Sequence, residues 1–319
     1  MVAVLGAAGG APPPGLAGPL PGCDVRFIGS AGALARDAAD AEVVFAWELV
    51  PGWLAAAWDS LPRLRWVAAA TAGVDWLLFP ELAASEVVLT NSAGVFDDAM
   101  AEYALGLVTA VCIDLPGTIR LQAARQWVHR ETSRLAGRPV LVVGAGGIGR
   151  AIARLLARAG LSVRCVARQD RADPELGRIA ALADLPELLP EADFVVLALP
   201  LTAATRGLFG PALLGRMRRG AWLINLGRGP LVDEDALAAA LRGGVIGGAA
   251  LDVFSSEPLP ASSPLWPLPN VIVSPHMSGD FRGFEDALTG LFLAQLRRYL
   301  AGGPLVNVVD KQLGFLPGR

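Results

Sequence analysis

Lysine is almost missing from this 319-residue chain: Lys311 is the only one among 27 basic residues. The resulting arginine bias fits the codon usage of a GC-rich genome and carries no function by itself. Cysteine is scarce too. Cys23, Cys112 and Cys165 are the only three, and no two have C-x-x-C spacing, which excludes a disulfide framework and a zinc knuckle and leaves no expected metal site. An excess of positive charge is also lacking. With 27 basic against 30 acidic residues and a pI near 5.5, a general nucleic-acid binder is excluded. Residues 1 to 23 carry no charged side chain, but they have no basic start, and Pro12, Pro13 and Pro14 break the apolar run. No uninterrupted apolar stretch reaches the ~20 residues of a membrane span. A soluble, cytoplasmic protein is the expectation, with no membrane or nucleic-acid partner. What the chain does have is 53% hydrophobic residues, enough for a large core and, by length, about two domains of roughly 150 residues each.

Short apolar runs alternate with helical patterns. Val2–Leu5, Val25–Ile28, Val43–Phe45, Leu64–Val67 and Val87–Leu89 predict strands, with helices between them such as Trp53–Leu61. A longer helix is expected over Ala99–Ile113. A second series of strands runs through Pro139–Val143, Ser162–Val166, Phe194–Ala198, Ala221–Ile224, Gly248–Asp252 and Val271–Ser274. A last helix, Phe284–Leu300, meets the stop signal Gly302-Gly303-Pro304. This βα rhythm predicts an α/β protein with two parallel, doubly wound sheets.

Gly144-Ala145-Gly146-Gly147-Ile148-Gly149 follows a strand and opens a helix whose apolar face is Ala151, Ile152, Leu155, Leu156 and Ala159. In G-x-G-x-x-G, the first glycine allows the turn, the second admits a pyrophosphate, and the third lets helix and strand pack. Free helix N-terminal amides favour a phosphate there. Gly6 to Gly10 also follows a strand, but the prolines after it cannot open a helix, so no second site is expected. The end of the next strand should choose the cofactor. Ala167 stands where an acid would bind the ribose 2′-hydroxyl of NAD, and Arg168 and Arg171 follow. This favours NADP, whose 2′-phosphate arginines can pair with. The other reading leaves both arginines in solvent and gives the ribose to Asp170.

There are two histidines. His129 lies among charged residues and reads as a surface or interface residue. His276 directly follows a strand, as do Asp252, with Glu257 beyond it, and Arg228. Carboxyl ends of strands are where α/β sheets meet their ligands. An Arg can bind a carbonyl oxygen and a carboxylate together, and a His paired with a Glu stays protonated near neutral pH. Singly, each has a structural alternative: a loop salt bridge for Arg228, a surface turn for Glu257, a capped loop for His276.

In sum of these motifs the chain resembles the D-isomer-specific 2-hydroxyacid dehydrogenases of the glyoxylate/hydroxypyruvate reductase kind. The resemblance lies in Thr71-Ala72-Gly73-Val74-Asp75, Ala101 to Gly106, the Gly144 to Gly149 loop, Leu199-Pro200-Leu201-Thr202, Asn225 to Gly229 with Leu231 to Glu234, Ala250 to Glu257 with Pro258-Leu259-Pro260, Pro275-His276, and Gly303 to Asp310. It implies a discontinuous path, with a flavodoxin-like substrate-binding domain over 1–97 and 282–319 and a Rossmann dinucleotide-binding domain over 98–281. It implies catalytic roles for Arg228, Glu257 and His276, with His276 as acid or base, Glu257 its partner and Arg228 activating the substrate carbonyl. Amides around Ala72, Gly73 and Val74 would hold the substrate carboxylate. Leu199, Pro200, Thr205, Leu226, Gly227, Asp252, His276 and Gly279 would contact the cofactor beside the glycine loop. The reaction implied is hydride transfer between NAD(P)H and a 2-oxo acid, in a homodimer with Trp127 near the partner. Trp47, Trp66, Trp127 and Phe281 are pocket candidates that also suit a core or an interface. Of the alternatives within the fold, formate oxidation would need Gln at the position of Glu257, which this chain lacks. Phosphite oxidation keeps the Arg, Glu and His. A corepressor-like NAD(H)-binding scaffold is the reading from another class.

Overall fold

The computed structural model describes residues 1–6, 12–16, 18, 20 and 22–317. The chain separates into two units, Met1–Phe96 with Phe281–Arg319, and Asp97–Asp280.

The first unit holds five strands: β1 (Val2–Leu5), β2 (Val25–Ile28), β3 (Val43–Ala46), β4 (Trp66–Ala69) and β5 (Val88–Thr90). They pair in parallel in the order β2-β1-β3-β4-β5, the flavodoxin-like order. β1, β3 and β4 are buried along their whole length, which is why they read as unbroken apolar runs rather than alternating ones. Leu5, Leu34, Val44, Val67 and Leu89 belong to one core. On the sheet packs the helix Phe284–Leu300, whose Phe292 ring stacks on Phe45 at 4.0 Å and on Trp66 at 5.5 Å. Glu285 and Asp286 in its first turn and Arg297 and Arg298 in its last complement the helix dipole. The segment after it is tied back by Gln295, which donates to Val306 O at 3.0 Å and accepts from Val306 N at 2.8 Å. Further on, the Lys311 ammonium donates to Leu82 O at 3.0 Å, Val87 O at 2.9 Å and Ser85 O, capping the end of the helix Pro80–Ala84. The expected helix Trp53–Leu61 is two pieces, an α turn Trp53–Ala56 and a 3₁₀ turn Trp58–Ser60. The glycine cluster 6 to 10 falls outside the described residues except for Gly6, whose φ of +102° is the left-handed region that glycine enters freely.

The second unit contains β6 (Pro139–Val143), β7 (Ser162–Ala167), β8 (Arg171–Asp173), β9 (Gly177–Ala181), β10 (Phe194–Leu197), β11 (Trp222–Asn225), β12 (Gly248–Leu251) and β13 (Val271–Val273). The order is β13-β12-β11-β10-β6-β7-β9-β8, parallel except for the hairpin β8–β9. Without β8 this is the doubly wound Rossmann order, whose direction reverses between β6 and β10. The glycine loop leaves β6 at that switch point and enters the helix Gly147–Arg158. That helix buries Ala151, Ile152, Ala153 and Leu156, while Leu155 and Ala159 are half-buried, and it packs along the helix Asp97–Cys112. Among the described residues no single helix is long and apolar enough to cross a membrane.

Candidate active site

The glycine loop shows why each glycine is needed. Gly144 has φ +116°, and a Cβ there would lie 2.4 Å from Ala198 O. A Cβ on Gly149 would lie 1.7 Å from Gly144 O, so helix and strand could not close up. Gly146 has no atom within 4 Å of where its Cβ would stand, so its glycine keeps the backbone bare on an open side. At Gly147 an added Cβ would meet the Asp97 carboxylate at 2.7 Å, a neighbour that sequence reasoning did not find. Arg171 donates to Ala145 O at 3.1 Å, inside the loop. Ala167 ends β7 buried, and Arg168 follows exposed. Asp170, the other candidate for the ribose, is paired with Arg178 at 2.5 Å across the hairpin.

Further loops rise from the carboxyl ends of β10, β11, β12 and β13. After β10, Leu199 and Pro200 lead into a turn closed by Thr205, whose buried hydroxyl donates to Pro200 O and accepts from Thr202 N, both at 2.8 Å. After β11, the Asn225 side chain brackets Leu226-Gly227-Arg228, accepting from Gly227 N at 3.1 Å and donating to Arg228 O at 2.9 Å. Both glycines beside Arg228 are demanded by packing: a Cβ on Gly227 would lie 2.9 Å from Leu199 O, and one on Gly229 would lie 1.9 Å from the Phe254 carbonyl carbon. The Arg228 guanidinium donates to Gly227 O at 2.9 Å.

His276 Nδ1 lies 2.7 Å from Glu257 Oε2, and Glu257 Oε1 accepts from Phe254 N at 2.8 Å. His276 sits at φ +52°, an uncommon region for a residue with a side chain. Asp252 holds it there. Its backbone oxygen accepts from His276 N at 2.8 Å, and its fully buried carboxylate accepts from Ser274 Oγ at 2.6 Å, Met277 N at 3.0 Å and Ser278 N at 2.9 Å. Gly279 follows, half-buried. The hydrogen bond to Glu257 raises the His276 pKa above its ordinary value, outweighing burial and the opposing charge of Arg228. For Glu257, burial pushes upward, but the bonds from His276 and Phe254 N and the charges of His276 and Arg228 together carry its pKa below the ordinary value. Arg228 thus acts electrostatically on both members of the pair.

The first unit, taken by itself, has a feature of its own in the loop 71–74. Its carbonyls are tied inward: Asn91 donates to Ala72 O at 2.6 Å, Thr71 Oγ1 to Gly73 O at 2.7 Å, and Ser92 N to Thr71 O at 3.0 Å. The amides of Ala72, Gly73 and Val74 donate to no described residue. Successive amides left open in this way can bind an anion. Of the aromatic candidates, Trp66 is fully buried in the core, Trp47 packs on Phe45, and Phe281 meets Phe284 edge-on, whereas Trp127 is completely exposed; His129 nearby is exposed too.

The sequence profile of the D-isomer specific 2-hydroxyacid dehydrogenase NAD binding domain matches residues 105–278. The chain belongs to the D-isomer-specific 2-hydroxyacid dehydrogenase family. A glyoxylate/hydroxypyruvate reductase B of Klebsiella pneumoniae is 37% identical over 265 residues, covering 81% of this chain and 82% of that protein. Among solved structures of similar proteins, a D-isomer specific 2-hydroxyacid dehydrogenase of Xanthobacter autotrophicus Py2, in complex with NADPH and MES, has 33% identity and a TM-score of 0.81, with 98% and 99% of the two chains covered. An NADPH-dependent glyoxylate/hydroxypyruvate reductase of Sinorhizobium meliloti, in complex with NADP and sulfate, has 29% identity and a TM-score of 0.84, with the same coverage.

The dinucleotide of this dehydrogenase family suits the residues found here. The bare backbone at Gly146, beside the start of the helix Gly147–Arg158, is a cradle that any side chain would fill. Thr71 and Asn91, which hold the loop 71–74 of the first unit, and Asn225 and Ser274, which hold loops of the second, were given no role of their own from the sequence. Their signal was position: Asn91 and Asn225 stand at or just after strand ends, and Ser274 directly follows β13.

Proposed function

We propose that this chain is an NADP-preferring reductase of 2-oxo acids, giving (D)-2-hydroxy acids, of the glyoxylate/hydroxypyruvate reductase type. The observation that carries the reading is the 2.7 Å contact between His276 and Glu257 in the sheet's carboxyl-end loops, under the influence of the Arg228 charge. A nicotinamide cofactor, held at the glycine loop Gly144 to Gly149, would supply the hydride for C2. Arg228 offers its guanidinium to the carbonyl oxygen, where negative charge builds. His276, kept as imidazolium by Glu257 on Nδ1, delivers the proton from Nε2 to that oxygen. Hydride and proton together saturate the carbonyl, and the half-exposed imidazole regains its proton from solvent. The unpaired amides of Ala72, Gly73 and Val74 take the substrate carboxylate.

NADP is favoured by the residues that follow β7. Ala167 cannot repel a 2′-phosphate, Asp170 is occupied by Arg178, and Arg168 and Arg171 lie beside the glycine loop's end of the sheet. Leu199, Pro200, Leu226, Gly227 and Gly279 line the remainder of the cofactor, with Thr205 and Asp252 shaping the turns that carry them. The exposed apolar residues Ile113, Leu115, Ile119, Trp127 and Val128, clustered in one stretch, support a homodimer. Three free cysteines, two of them buried, support a reducing, cytoplasmic setting. The test is oxidation of NADPH and NADH with glyoxylate, hydroxypyruvate and phenylpyruvate. Turnover with higher kcat/KM for NADPH is expected. Preference for NADH refutes the cofactor choice, and tight cofactor binding without turnover of any 2-oxo acid refutes the enzyme.

A further inference from the structure

We propose that Asp173 and Arg150 form a latch that positions Arg171 for the 2′-phosphate of the cofactor, which makes Asp173 a specificity-determining residue that never touches the ligand. This rests on the NADP reading above. β8 is three residues long, lies at the sheet edge and pairs only with β9. So short an edge strand has little of its own to fix it. The fixing comes from Asp173, whose side chain is 8% exposed. One carboxylate oxygen accepts from Arg150 Nη1, and the other accepts from the amides of Glu175 and Leu176, both at 3.0 Å, closing the hairpin turn. Arg150 belongs to the first turn of the helix that the glycine loop opens, and it reaches Glu175 as well, at 3.4 Å. Arg154, one turn later, stands 3.6 Å from the same Glu175.

Arg171 and Asp173 are two apart on β8 and so project to the same face. The strand is therefore held to the nucleotide helix at one end by Asp173, while Arg171 at the other end donates to Ala145 O within the loop. A long arginine side chain keeps a pose only if its backbone is held, since its free rotamers otherwise dominate. Arg150 is spent on Asp173 and Glu175, so it serves as the anchor, and Arg171 as the reader. The consequence is selective: loosening the latch weakens recognition of a 2′-phosphorylated adenosine and leaves the pyrophosphate site at Gly146 intact.

Isothermal titration calorimetry on the full chain tests this with 2′,5′-ADP and 5′-AMP as probes. Asp173→Asn is expected to weaken 2′,5′-ADP binding about tenfold, the worth of one charge-assisted hydrogen bond, and 5′-AMP binding less than about twofold. In an Arg171→Ala background, Asp173→Asn should add less than about twofold, because the residue it positions is gone. Equal losses for both probes, no loss for either, or a full tenfold loss in the Arg171→Ala background overturns the latch. Arg150→Gln releases it from the helix side with the same expectation, so a poorly folding Asp173→Asn does not shield the idea. Wild type that binds 5′-AMP as tightly as 2′,5′-ADP overturns the NADP reading and the latch with it. A selective wild type whose Asp173→Asn variant is equally selective overturns the latch alone.

Discussion

Replacing Asp252 by Asn changes one atom and puts the seating of His276 to a sharp test. The carboxylate accepts three hydrogen bonds in a fully buried place, two of them from the backbone amides of Met277 and Ser278, one on each oxygen. The asparagine side chain has one acceptor oxygen and one donor NH₂. Whichever way it is turned, one backbone amide faces a donor. Ser274 Oγ can rotate to accept from the NH₂, but neither amide can. A buried donor left unpaired costs about 1–3 kcal/mol, and the surviving bonds lose their charge assistance, so the variant should be destabilised by about 2–4 kcal/mol. That is tolerable against a typical stability of about 5–15 kcal/mol, so the protein should still fold. The same repulsion pushes the loop carrying His276 out of place, and a displacement of about 1 Å near the chemistry can lower the rate by about 10²-fold. Urea denaturation followed by far-ultraviolet circular dichroism, together with kcat for NADPH and glyoxylate, measures both. A denaturation midpoint equal to wild type with kcat within twofold would refute the clamp.

Other substitutions probe the remaining parts. His276→Ala should lower kcat by roughly 10²–10⁴-fold, the usual worth of a general acid, and an unchanged kcat removes it from the mechanism. Glu257→Gln should move the descending limb of the pH profile of kcat/KM for reduction to lower pH, since imidazolium is then lost earlier; a limb that stays put dismisses Glu257. The same pair links stability to pH. The Glu257 contribution is full above its ordinary value of 4.5 and fades on acidification, and the His276 contribution is full below its ordinary value of 6.5 and fades as pH rises. The stability gap between wild type and Glu257→Gln, from denaturation at several pH values, should therefore be widest between those two values and narrow on both sides. Gly229→Ala forces a methyl to within 1.9 Å of the Phe254 carbonyl carbon, so either the Arg228 loop or the Phe254–Glu257 loop must shift. A loss in kcat of about 10²-fold is expected, and retention of wild-type kcat would show that the close approach is not needed.

Much of the fold could be read from the amino acids because the buried strands are unbroken apolar runs. Val2–Leu5 and Phe284–Leu300 coincide with their expected limits, the latter because its acidic start and Gly-Gly-Pro end are both explicit. The hairpin β8–β9 escaped notice because Arg171-Ala172-Asp173 has neither an apolar run nor a hydrophobic face; a turn held by one aspartate, not burial, makes it a strand. The nucleotide helix also buries Ala153, which lay outside the expected apolar face, and it packs along the helix Asp97–Cys112. At the site, residues at strand ends pointed to where chemistry would gather, but nothing in the sequence spacing links His276 to Glu257. That pairing depends on two loops from adjacent strands, β12 and β13, meeting over a buried carboxylate. Its expected place at the cofactor aside, the Asp252 carboxylate serves the loop beside it, a role the sequence did not suggest.

The single lysine gives the molecule an unusual handle. An endoproteinase that cleaves only after lysine has one address in this polypeptide, and three carbonyl oxygens hold the ammonium at that address in place. The bond after Lys311 becomes a suitable substrate when the tail lifts from the turn after Leu82. The appearance of that one fragment is therefore a clock for the opening of the first unit, read in a protein carrying no label and no engineered residue.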